Sequence, residues 1–348
     1  MKITSVAVST IAAPTRPNQI ADALQVLDGG GGVTVWISTD SGIVGTSSTS
    51  FGRLRAAPGV LAKLIQDEIA PEVVGEDPTM IRKIHDKLWW HAEYHGVTGL
   101  TCFALSAIDV ALWDVLGKLA GLPVWRLLGG RRDRVPAYAM VGWLNYTLDE
   151  LKAISAKAIA QGFQGVKVKV GAATLEEDVA RIEAVRAEIG ATPKLMVDAN
   201  QVFGLNEALR RGRVYQELGC YWFEEPLRAD DTAGLAELAR ALDLPIASGE
   251  NNNGKRQFRD LLTARAVDII QPDIRRAGGL TECFDIGLMA DAFNVPYASH
   301  GGGIHLHVLA ALPNTLLMES GLLPEDGSIQ LVGGCYPLPE EPGFGDSN

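Results

Sequence analysis

Short apolar runs recur at even spacing through the second part of the chain. Helix-patterned segments separate eight of these runs. Strands that alternate with helices are typical of parallel βα units, and eight such units can close into a barrel. The pattern therefore predicts an α/β fold, a modified TIM-type (β/α)8 barrel, over residues 128–320. The runs are 135–139, 166–170, 195–198, 221–224, 245–248, 267–271, 295–299 and 315–319.

The first part of the chain follows a different pattern. Three runs alternate between apolar and polar positions, and a turn at Asp40-Ser41-Gly42 joins the last two, as in an antiparallel sheet. Residues 58–121 then carry the helical period and close with a glycine. We therefore expect an α+β capping domain over residues 1–127. The strand-like runs are 2–11, 33–40 and 43–49.

Two segments fit neither pattern. A polar loop at about 14–32 ends in four glycines, which hold a fixed conformation only at an entropic cost. We expect this loop to act as a lid, with a floppy turn as the alternative. Residues 321–348 are rich in Gly and Pro and lack a helical period, so we expect them to pack back on the capping domain.

Composition narrows the class of protein. Apolar residues make up 47% of the 348 residues and charged residues 21%, which is ordinary for a globular protein. The net charge of −11 argues against nucleic acid or an anionic membrane surface as the main partner. No apolar run approaches the roughly 20 residues of a membrane span. The four cysteines include no C-x-x-C pair, so we expect reduced thiols and a cytoplasmic location.

Three carboxylates stand at the ends of successive apolar runs. Asp198, Glu224 and Glu250 are separated by 26 residues each, about the length of one βα unit. Equivalent points of successive units meet at the C-terminal mouth of a barrel. Three carboxylates crowded there repel each other unless a cation holds them, and oxygen ligands favour Mg²⁺. The alternative is that they are ordinary acidic residues at strand ends and helix caps.

Two lysines share one face of the second barrel strand. In the run GVKVKV the valines point one way, and Lys167 and Lys169 point the other way, into the barrel. A buried charge without a purpose is costly. Adjacent ammonium groups are expected to lower each other's pKa, which would tune a lysine to act as a base.

A second candidate acid/base lies across the predicted mouth. Asp273 and His300 end the sixth and seventh runs, so the carboxylate can orient the imidazole and stabilise its cation. Glu319 ends the eighth run and, as a buried carboxylic acid, could donate a hydrogen bond to an oxyanion. A metal flanked by a lysine and a histidine suits removal of a proton next to a carboxylate.

These motifs together resemble a known family. The runs KVKV, VDAN, FEEP, SGE, QPD and SH, the segment Ala111–Gly130 and PGFG near the end are similar to the enolase superfamily, in particular its mandelate racemase subgroup. Each motif alone is weak, but in this order and at this spacing they are specific. The muconate-cycloisomerase type places a lysine where this chain has His300, so that type is less favoured.

The resemblance implies a role for each candidate residue. Asp198, Glu224 and Glu250 would bind Mg²⁺, and Lys169 and His300, the latter supported by Asp273, would be the two acid/base groups. Lys167 and Glu319 would stabilise the enediolate and so contact the substrate. Asn200 follows a strand end and is expected to bind a substrate hydroxyl, since a polyol needs polar donors.

Three functions remain in view. We expect an Mg²⁺-dependent acid-sugar dehydratase that forms a 2-keto-3-deoxy acid from a small carboxylate; a 2-hydroxy-acid racemase or epimerase is the alternative. A non-catalytic binding barrel is a remote third. Arg275 and Arg276 could hold a distal carboxylate or form surface salt bridges. For His305 and His307 we favour helix packing over a ligand role, and symmetric association into a homo-oligomer is the default.

Overall fold

The N-terminal part contains the expected antiparallel sheet. The structure, a computed structural model, describes residues 1–12, 19–27, 29–52 and 54–345. The first, fourth and fifth strands of the chain form one sheet, with the fourth strand in the middle. The second and third strands pair with each other as a separate small hairpin. Residues 14–18 and 28 of the predicted lid lie outside the described residues. The strands are β1 (Ile3–Ile11), β2 (Ile20–Ala21), β3 (Val26–Leu27), β4 (Gly32–Thr39) and β5 (Val44–Ser50).

The apolar face of this sheet packs on helices. Val33, Val35 and Ile37 alternate along β4 with more exposed residues, and all three are buried in a core that the sheet shares with the helices of this part of the chain. Gly45 of β5 allows this close approach, because a Cβ there would lie 2.1 Å from the Ala111 carbonyl oxygen. The helical segments are α1 (Ala57–Leu64), a π-helical stretch (Ile65–Ile69), α2 (Ala70–Val73), α3 (Ile81–Glu93), α4 (Leu100–Ala120) and α5 (Val124–Leu127).

Helix α4 is long and apolar enough to cross a membrane by length and composition alone. That finding departs from the expectation that no segment reaches such a length. However, 72% of its most apolar window is buried inside the fold, as in the core helix of a globular domain. The helix packs on β4 and β5 on one side and against the barrel on another.

The second part is a closed barrel, as predicted. Eight parallel strands follow one another in sequence order, and the last pairs with the first through Glu319 and Tyr138. Each of the eight apolar runs overlaps one strand. The strands are β6 (Arg134–Gly142), β7 (Gly165–Lys169), β8 (Lys194–Asp198), β9 (Phe223–Glu224), β10 (Ile246–Ser248), β11 (Ile269–Ile270), β12 (Tyr297–Ala298) and β13 (Thr315–Ser320).

Helices surround the barrel and begin at defined caps. Thr147 and Thr174 each form a capping box, in which the hydroxyl accepts from the third helical N–H and a glutamate accepts in return. The helices are α6 (Leu148–Ala160), α7 (Leu175–Ile189), α8 (Leu205–Glu217), α9 (Thr232–Ala241), α10 (Gly254–Ala264), α11 (Leu280–Ala292) and α12 (His305–Ala311).

A buried aspartate joins the capping domain to the barrel. Asp109 of α4 accepts from the Thr281 N–H at 2.9 Å and from the Thr281 hydroxyl at 2.5 Å. It thereby satisfies free donors at the first turn of α11. Gly279 precedes this turn at φ 96°, and a Cβ there would lie 2.3 Å from the Asp109 carboxylate. The contact therefore requires glycine.

The C-terminal segment contacts both parts. A short strand, β14 (Cys335–Pro337), pairs antiparallel with the beginning of β6. Farther on, the Val124 N–H donates to the Gly343 carbonyl at 2.9 Å, and the Phe344 N–H donates to Asp114 at 3.2 Å. The described tail therefore packs on the barrel wall as well as on the capping domain.

Candidate active site

The three predicted carboxylates meet at one end of the barrel. Asp198 and Glu224 are the last residues of β8 and β9, and Glu250 follows β10 by two residues. Parallel neighbouring strands bring these positions to the same mouth. One oxygen from each carboxylate lies within 4.8 Å of the others, and all three residues are buried.

This carboxylate triad, Asp198, Glu224 and Glu250, has the chemistry of a hard-cation site. Its donors are all oxygens, which suit Mg²⁺. Burial raises the pKa of Glu224 to about 7; Lys167 opposes this shift, and the neighbouring carboxylates Asp198 and Glu319 add to it. A divalent cation bound by the three carboxylates would offset their mutual repulsion and would favour the ionised form of Glu224. The residues present therefore fit Mg²⁺.

Lys167 lies beneath the triad rather than in an open pocket. Its side chain is 1% exposed, and its Nζ is 2.5 Å from both Glu224 Oε1 and Glu319 Oε2. Burial lowers the pKa of Lys167, but Glu224 and Glu319 together raise it well above its ordinary value. Lys167 is thus a fixed positive charge beside the carboxylate triad.

Lys169 reaches the same cluster from the end of β7. Its Nζ is 2.5 Å from Asp198 Oδ2 and 5.5 Å from the Trp143 ring centroid. Burial lowers the pKa of Lys169, but Asp198 raises it above its ordinary value overall. Lys167 does lower the pKa of Lys169, as expected, but Asp198 raises it by more, so the net shift runs opposite to the tuning that was expected for a base.

Asp273 and His300 form the predicted pair. Asp273 Oδ2 lies 2.7 Å from His300 Nδ1, which directs Nε2 toward Glu250 Oε2 at 3.3 Å. Burial lowers the pKa of His300, but Glu250 and Asp273 raise it above its ordinary value overall. Burial raises the pKa of Asp273, but the His300 contact and Arg276 bring it well below its ordinary value.

Glu319 accepts two hydrogen bonds and forms an ion pair with Lys167. Its Oε2 accepts from the Tyr138 hydroxyl at 2.9 Å, and its Oε1 accepts from the Gly301 N–H at 3.1 Å. Burial raises the pKa of Glu319, but Lys167 and His300 lower it to about 2. The expected neutral carboxylic acid is therefore wrong for the free protein, because its ion pair with Lys167 dominates.

Lys169 and His300 face one cavity from opposite sides of the mouth. The cavity holds about 470 Å³, and its wall includes both bases as well as Asn200 and Glu250. The strands that carry the bases, β7 and β12, are separated by four strands on one side of the ring and two on the other. A larger cavity of about 800 Å³ adjoins it, but neither Lys169 nor His300 lines that cavity, so the smaller one is the candidate active site.

The capping domain forms the roof of this cavity. Apolar side chains including Leu24, Leu27 and Phe51 line it from above. The β2–β3 hairpin is attached to the barrel by Asn145, which accepts from the Ala21 N–H and donates to the Gln19 carbonyl, both at 2.9 Å. We call Asn145 the roof latch. The only sequence signal for it is a polar residue after the first barrel strand.

Buried donors inside the barrel hold Glu224 of the carboxylate triad. Trp222 Nε1 and Gln271 Nε2 both donate to Glu224 Oε2, at 3.0 Å and 2.9 Å. Sequence reasoning missed these residues as well as Tyr138. The signal was available for Trp222, which is two residues from Glu224 in one run and therefore shares its face.

The two arginines differ in their contacts. Arg275 Nε donates to the Ser48 carbonyl of β5 at 3.1 Å, so it joins the barrel to the capping domain. Arg276 lies 3.2 Å from Glu250 Oε1 and 3.5 Å from Asp273 Oδ2, and it lines the cavity. It therefore bridges the carboxylate triad and the Asp273–His300 pair.

Known proteins share both the sequence and the structure. The mandelate racemase / muconate lactonizing enzyme N-terminal domain family matches residues 3–129, and the enolase C-terminal domain-like family matches residues 150–347. An arabinonate dehydratase from Saccharolobus solfataricus is 36% identical over 329 residues, covering 90% of this chain and 87% of that protein.

Solved structures agree over nearly the whole chain. A racemase from Streptomyces coelicolor with bound magnesium has TM-score 0.93 and 31% identity, covering 99% of this chain and 96% of its own. An L-talarate dehydratase from Polaromonas sp., complexed with Mg and L-glucarate, has TM-score 0.91 and 35% identity, with 99% and 94% covered. This chain belongs to the mandelate racemase / muconate lactonizing enzyme family of the enolase superfamily.

Proposed function

We propose that the chain is an Mg²⁺-dependent acid-sugar dehydratase, which converts an aldonate or aldarate into a 2-keto-3-deoxy acid. One observation carries the proposal: Lys169 and His300 face a single cavity across a buried carboxylate triad. Dehydration needs one group to take the α-proton and a second to protonate the departing β-hydroxyl. The relatives that are named dehydratases support the same reaction class.

Asp198, Glu224 and Glu250 would hold the Mg²⁺. When bound, the cation supplies Lewis-acid stabilisation of the negative charge that develops on the substrate carboxylate. Lys167 adds a fixed positive charge beneath the same ligands, where low solvent access strengthens its effect. Its contacts with Glu224 and Glu319 keep that charge in place.

Lys169 and His300 would move the protons. Lys169 accepts a proton only as a neutral amine, and its ion pair with Asp198 is what favours the charged form in the free site. As a ligand of Mg²⁺, Asp198 would share its charge with the cation and would favour the charged form of Lys169 less. Asp273 orients His300 and stabilises its protonated imidazolium form, which can donate a proton to the leaving hydroxyl. Water departs, and the enol product tautomerises to the 2-keto acid.

The cavity wall supports a polar substrate. Asn200 lines it beside Lys169, and Asn251 and Asn253 follow β10 along the same wall. Amide groups suit the hydroxyls of a polyol, and an aryl group would need an apolar pocket instead. We therefore assign Asn200 to a substrate hydroxyl. Glu319 forms an ion pair with Lys167 and so helps to hold that positive charge in place beside the substrate.

Racemisation of a 2-hydroxy acid is the second candidate. Two bases on opposite sides of one cavity also suit removal of the α-proton from one face and its return to the other. The Streptomyces coelicolor racemase, with TM-score 0.93, favours this candidate. Exchange of the α-proton in D₂O without loss of water would distinguish racemisation from dehydration.

The proposal extends to cellular context. A cytoplasmic location is supported by the four cysteines, all of which are free thiols. Association into a homo-oligomer is supported by two large exposed aromatic side chains, Trp90 of α3 and Tyr94 directly after it, which are 70% and 89% exposed. The net charge of −11 disfavours nucleic acid and anionic membranes as partners.

A substrate screen tests the proposal. Purified protein with Mg²⁺ is offered a library of aldonic and aldaric acids, and 2-keto-acid formation is read by a colour reaction. We expect at least one acid to give product, and Lys169→Ala and His300→Asn each to abolish it. Dehydration that survives both substitutions would overturn the proposed function. Silence across the library together with α-proton exchange would favour racemisation.

A further inference from the structure

Helix α12 carries two histidines that do not reach the cavity. His305 and His307 are both buried, and each ring accepts a hydrogen bond from the backbone of another element. The Ile274 N–H donates to His305 Nε2 at 3.2 Å, and the Trp125 N–H donates to His307 Nδ1 at 3.1 Å. A ring nitrogen accepts only when it carries no proton, so both imidazoles are neutral. Burial accordingly lowers the pKa of His305 to about 3 and that of His307 to about 4.

The N–H that His305 accepts belongs to the peptide that follows Asp273. The carbonyl of the same peptide accepts from the Arg276 N–H at 3.0 Å and the Ala277 N–H at 2.8 Å. The peptide plane is therefore held at both ends, by the turn on one side and by the His305 ring on the other. A peptide held at both ends cannot rotate without losing hydrogen bonds.

The orientation of this peptide sets the direction of the Asp273 side chain. Asp273 Oδ1 accepts from the Arg275 N–H at 2.7 Å, which leaves Oδ2 facing His300 Nδ1 at 2.7 Å. If the peptide rotated, the Arg275 N–H and the carboxylate would move together. The Asp273–His300 contact therefore depends on the contact between Ile274 and His305.

Packing alone does not explain a histidine at position 305. Ile274 lies in a turn outside any strand or helix and is fully buried, and His305 Nε2 is the acceptor for its N–H within the described residues. A leucine would fill similar space but would leave that N–H unpaired, which is costly. The ring itself leaves Nδ1 without a hydrogen-bond partner in the described part of the chain. Nε2 is thus the polar atom that the fold uses.

We infer that His305 is a positioning residue for the Asp273–His300 pair: its neutral ring fixes the peptide after Asp273 so that the carboxylate meets His300. It acts through Asp273 and touches neither substrate nor metal ligand. The inference rests on the proposed function for its kinetic consequence, because it concerns proton transfer by His300. Lys169, on β7, lies across the mouth and does not depend on this contact.

The test compares the two faces of the α-carbon. The probes are arabinonate and its C2 epimer ribonate, with Mg²⁺ in D₂O, and loss of the C2 proton is followed by NMR. Lys169→Ala and His300→Asn first establish which epimer depends on which base. His305→Leu is expected to slow the His300-dependent reaction by about 10- to 100-fold and to leave the Lys169-dependent one within about twofold, since misplacement of one group affects only its own step.

Two further variants separate positioning from packing. His305→Gln can still offer an acceptor to Ile274 and is expected to restore most of the lost rate. His307→Leu is the matched control, because it removes the other buried histidine of the same helix. It is expected to lower the melting temperature and to change the rate of C2-proton loss from both epimers to the same extent. The inference would be overturned if His305→Leu slowed C2-proton loss equally from both epimers, or if His307→Leu slowed it from only one of them. It would also be overturned if His305→Gln did not restore the rate.

If neither arabinonate nor ribonate reacts, that result counts against the proposed function and not against the role of His305. A spectroscopic measurement still tests the role of His305 in that case. Long-range ¹H–¹⁵N spectra of the metal-free protein should show His305 protonated at Nδ1 and unprotonated at Nε2. The hydrogen-bonded Nδ1 proton of His300 should disappear in His305→Leu and persist in His307→Leu. The opposite His305 tautomer, or a His300 signal unchanged in His305→Leu, would overturn the inference.

Discussion

His300 Nδ1 lies 2.7 Å from Asp273 Oδ2, and this contact turns the other ring nitrogen toward the carboxylate triad. The carboxylate both fixes the tautomer and stabilises the imidazolium. Burial raises the pKa of Asp273, but His300 and Arg276 bring it well below its ordinary value, so the carboxylate stays ionised. A charged Asp273 and an oriented His300 are therefore one functional unit.

Asp273→Asn should lower kcat for the proposed dehydration by about 10²- to 10⁴-fold, the usual contribution of a positioned acid or base. The amide keeps the shape of the side chain but removes the charge that favours the imidazolium. Steady-state kinetics with the acid sugar found in the screen would measure the effect.

Asp268→Asn is the matched control for that substitution. Asp268 accepts from the Ile246 N–H at 2.9 Å at the start of a neighbouring strand, away from the mouth. Its substitution should leave kcat within about threefold, because the amide oxygen can still accept that hydrogen bond. A loss in this control as large as in Asp273→Asn would show that the effect is a general response to a lost charge.

Mg²⁺ affinity should depend on the protonation of Glu224. Its pKa is raised to about 7 by burial and neighbouring carboxylates, and a metal ligand must be deprotonated. Binding should therefore release a proton at pH 6 and be about tenfold weaker there than above pH 8. Isothermal titration of the metal-free protein in two buffers with different ionisation enthalpies measures both quantities.

Glu224→Gln should weaken Mg²⁺ binding strongly and abolish that proton release. Glu225 supplies the control, since it is the next residue and is equally buried, but it contacts Asn251 rather than the triad. Glu225→Gln should retain proton release on binding. An affinity that is constant between pH 6 and pH 8 in the unmodified protein would contradict the assigned role of Glu224.

The barrel and its catalytic positions follow from local sequence features. The spacing of the apolar runs predicts the strands, and residues at the end of a run or within two positions after it lie at the mouth. This is why Asp198, Glu224, Glu250 and His300 could be predicted to converge. The alternation in GVKVKV likewise directs Lys167 and Lys169 inward. These features depend on period and spacing, which the chain displays directly.

Protonation states could not be predicted in the same way. They depend on distances between side chains far apart in sequence, such as Lys167 and Glu319 at 2.5 Å. Two-residue strands such as β2 and β3 carry no period, so the hairpin over the cavity was missed. Its latch, Asn145, is defined only by what it contacts across the molecule.

The roof latch should control substrate affinity more than chemistry. Asn145→Ala removes two hydrogen bonds between the β2–β3 hairpin and the barrel, each worth about 0.5–1.5 kcal/mol. The closed roof should therefore be less populated, and KM for the acid sugar should rise by about 5- to 150-fold with a smaller change in kcat. Steady-state kinetics measures both constants.

Asn145→Asp refines that test, because it retains the acceptor for the Ala21 N–H and removes the donor to the Gln19 carbonyl. Its KM should fall between those of the unmodified protein and Asn145→Ala. If KM were unchanged in both variants while kcat fell, the latch would act on the catalytic groups instead of the roof.

Acid should destabilise the protein partly through the two buried histidines of α12. The pKa values of His305 and His307, about 3 and about 4, lie below the unfolded value of about 6.5. Between these limits the unfolded chain binds more protons, so stability falls as pH falls. Each histidine should contribute a loss of up to about 1.4 kcal/mol per pH unit between pH 6 and pH 4.5.

Urea unfolding at several pH values measures this loss. His307→Gln should flatten the decline by about 1.4 kcal/mol per pH unit, since one titrating group is gone. Val308→Ala, at the adjacent fully buried position, should lower stability by a similar amount at every pH because it removes apolar volume without removing a proton site. If His307→Gln and Val308→Ala had the same pH slope as the unmodified protein, the buried His307 would have to be protonated in the folded state as readily as in the unfolded chain. That result would contradict the neutral ring that accepts from Trp125.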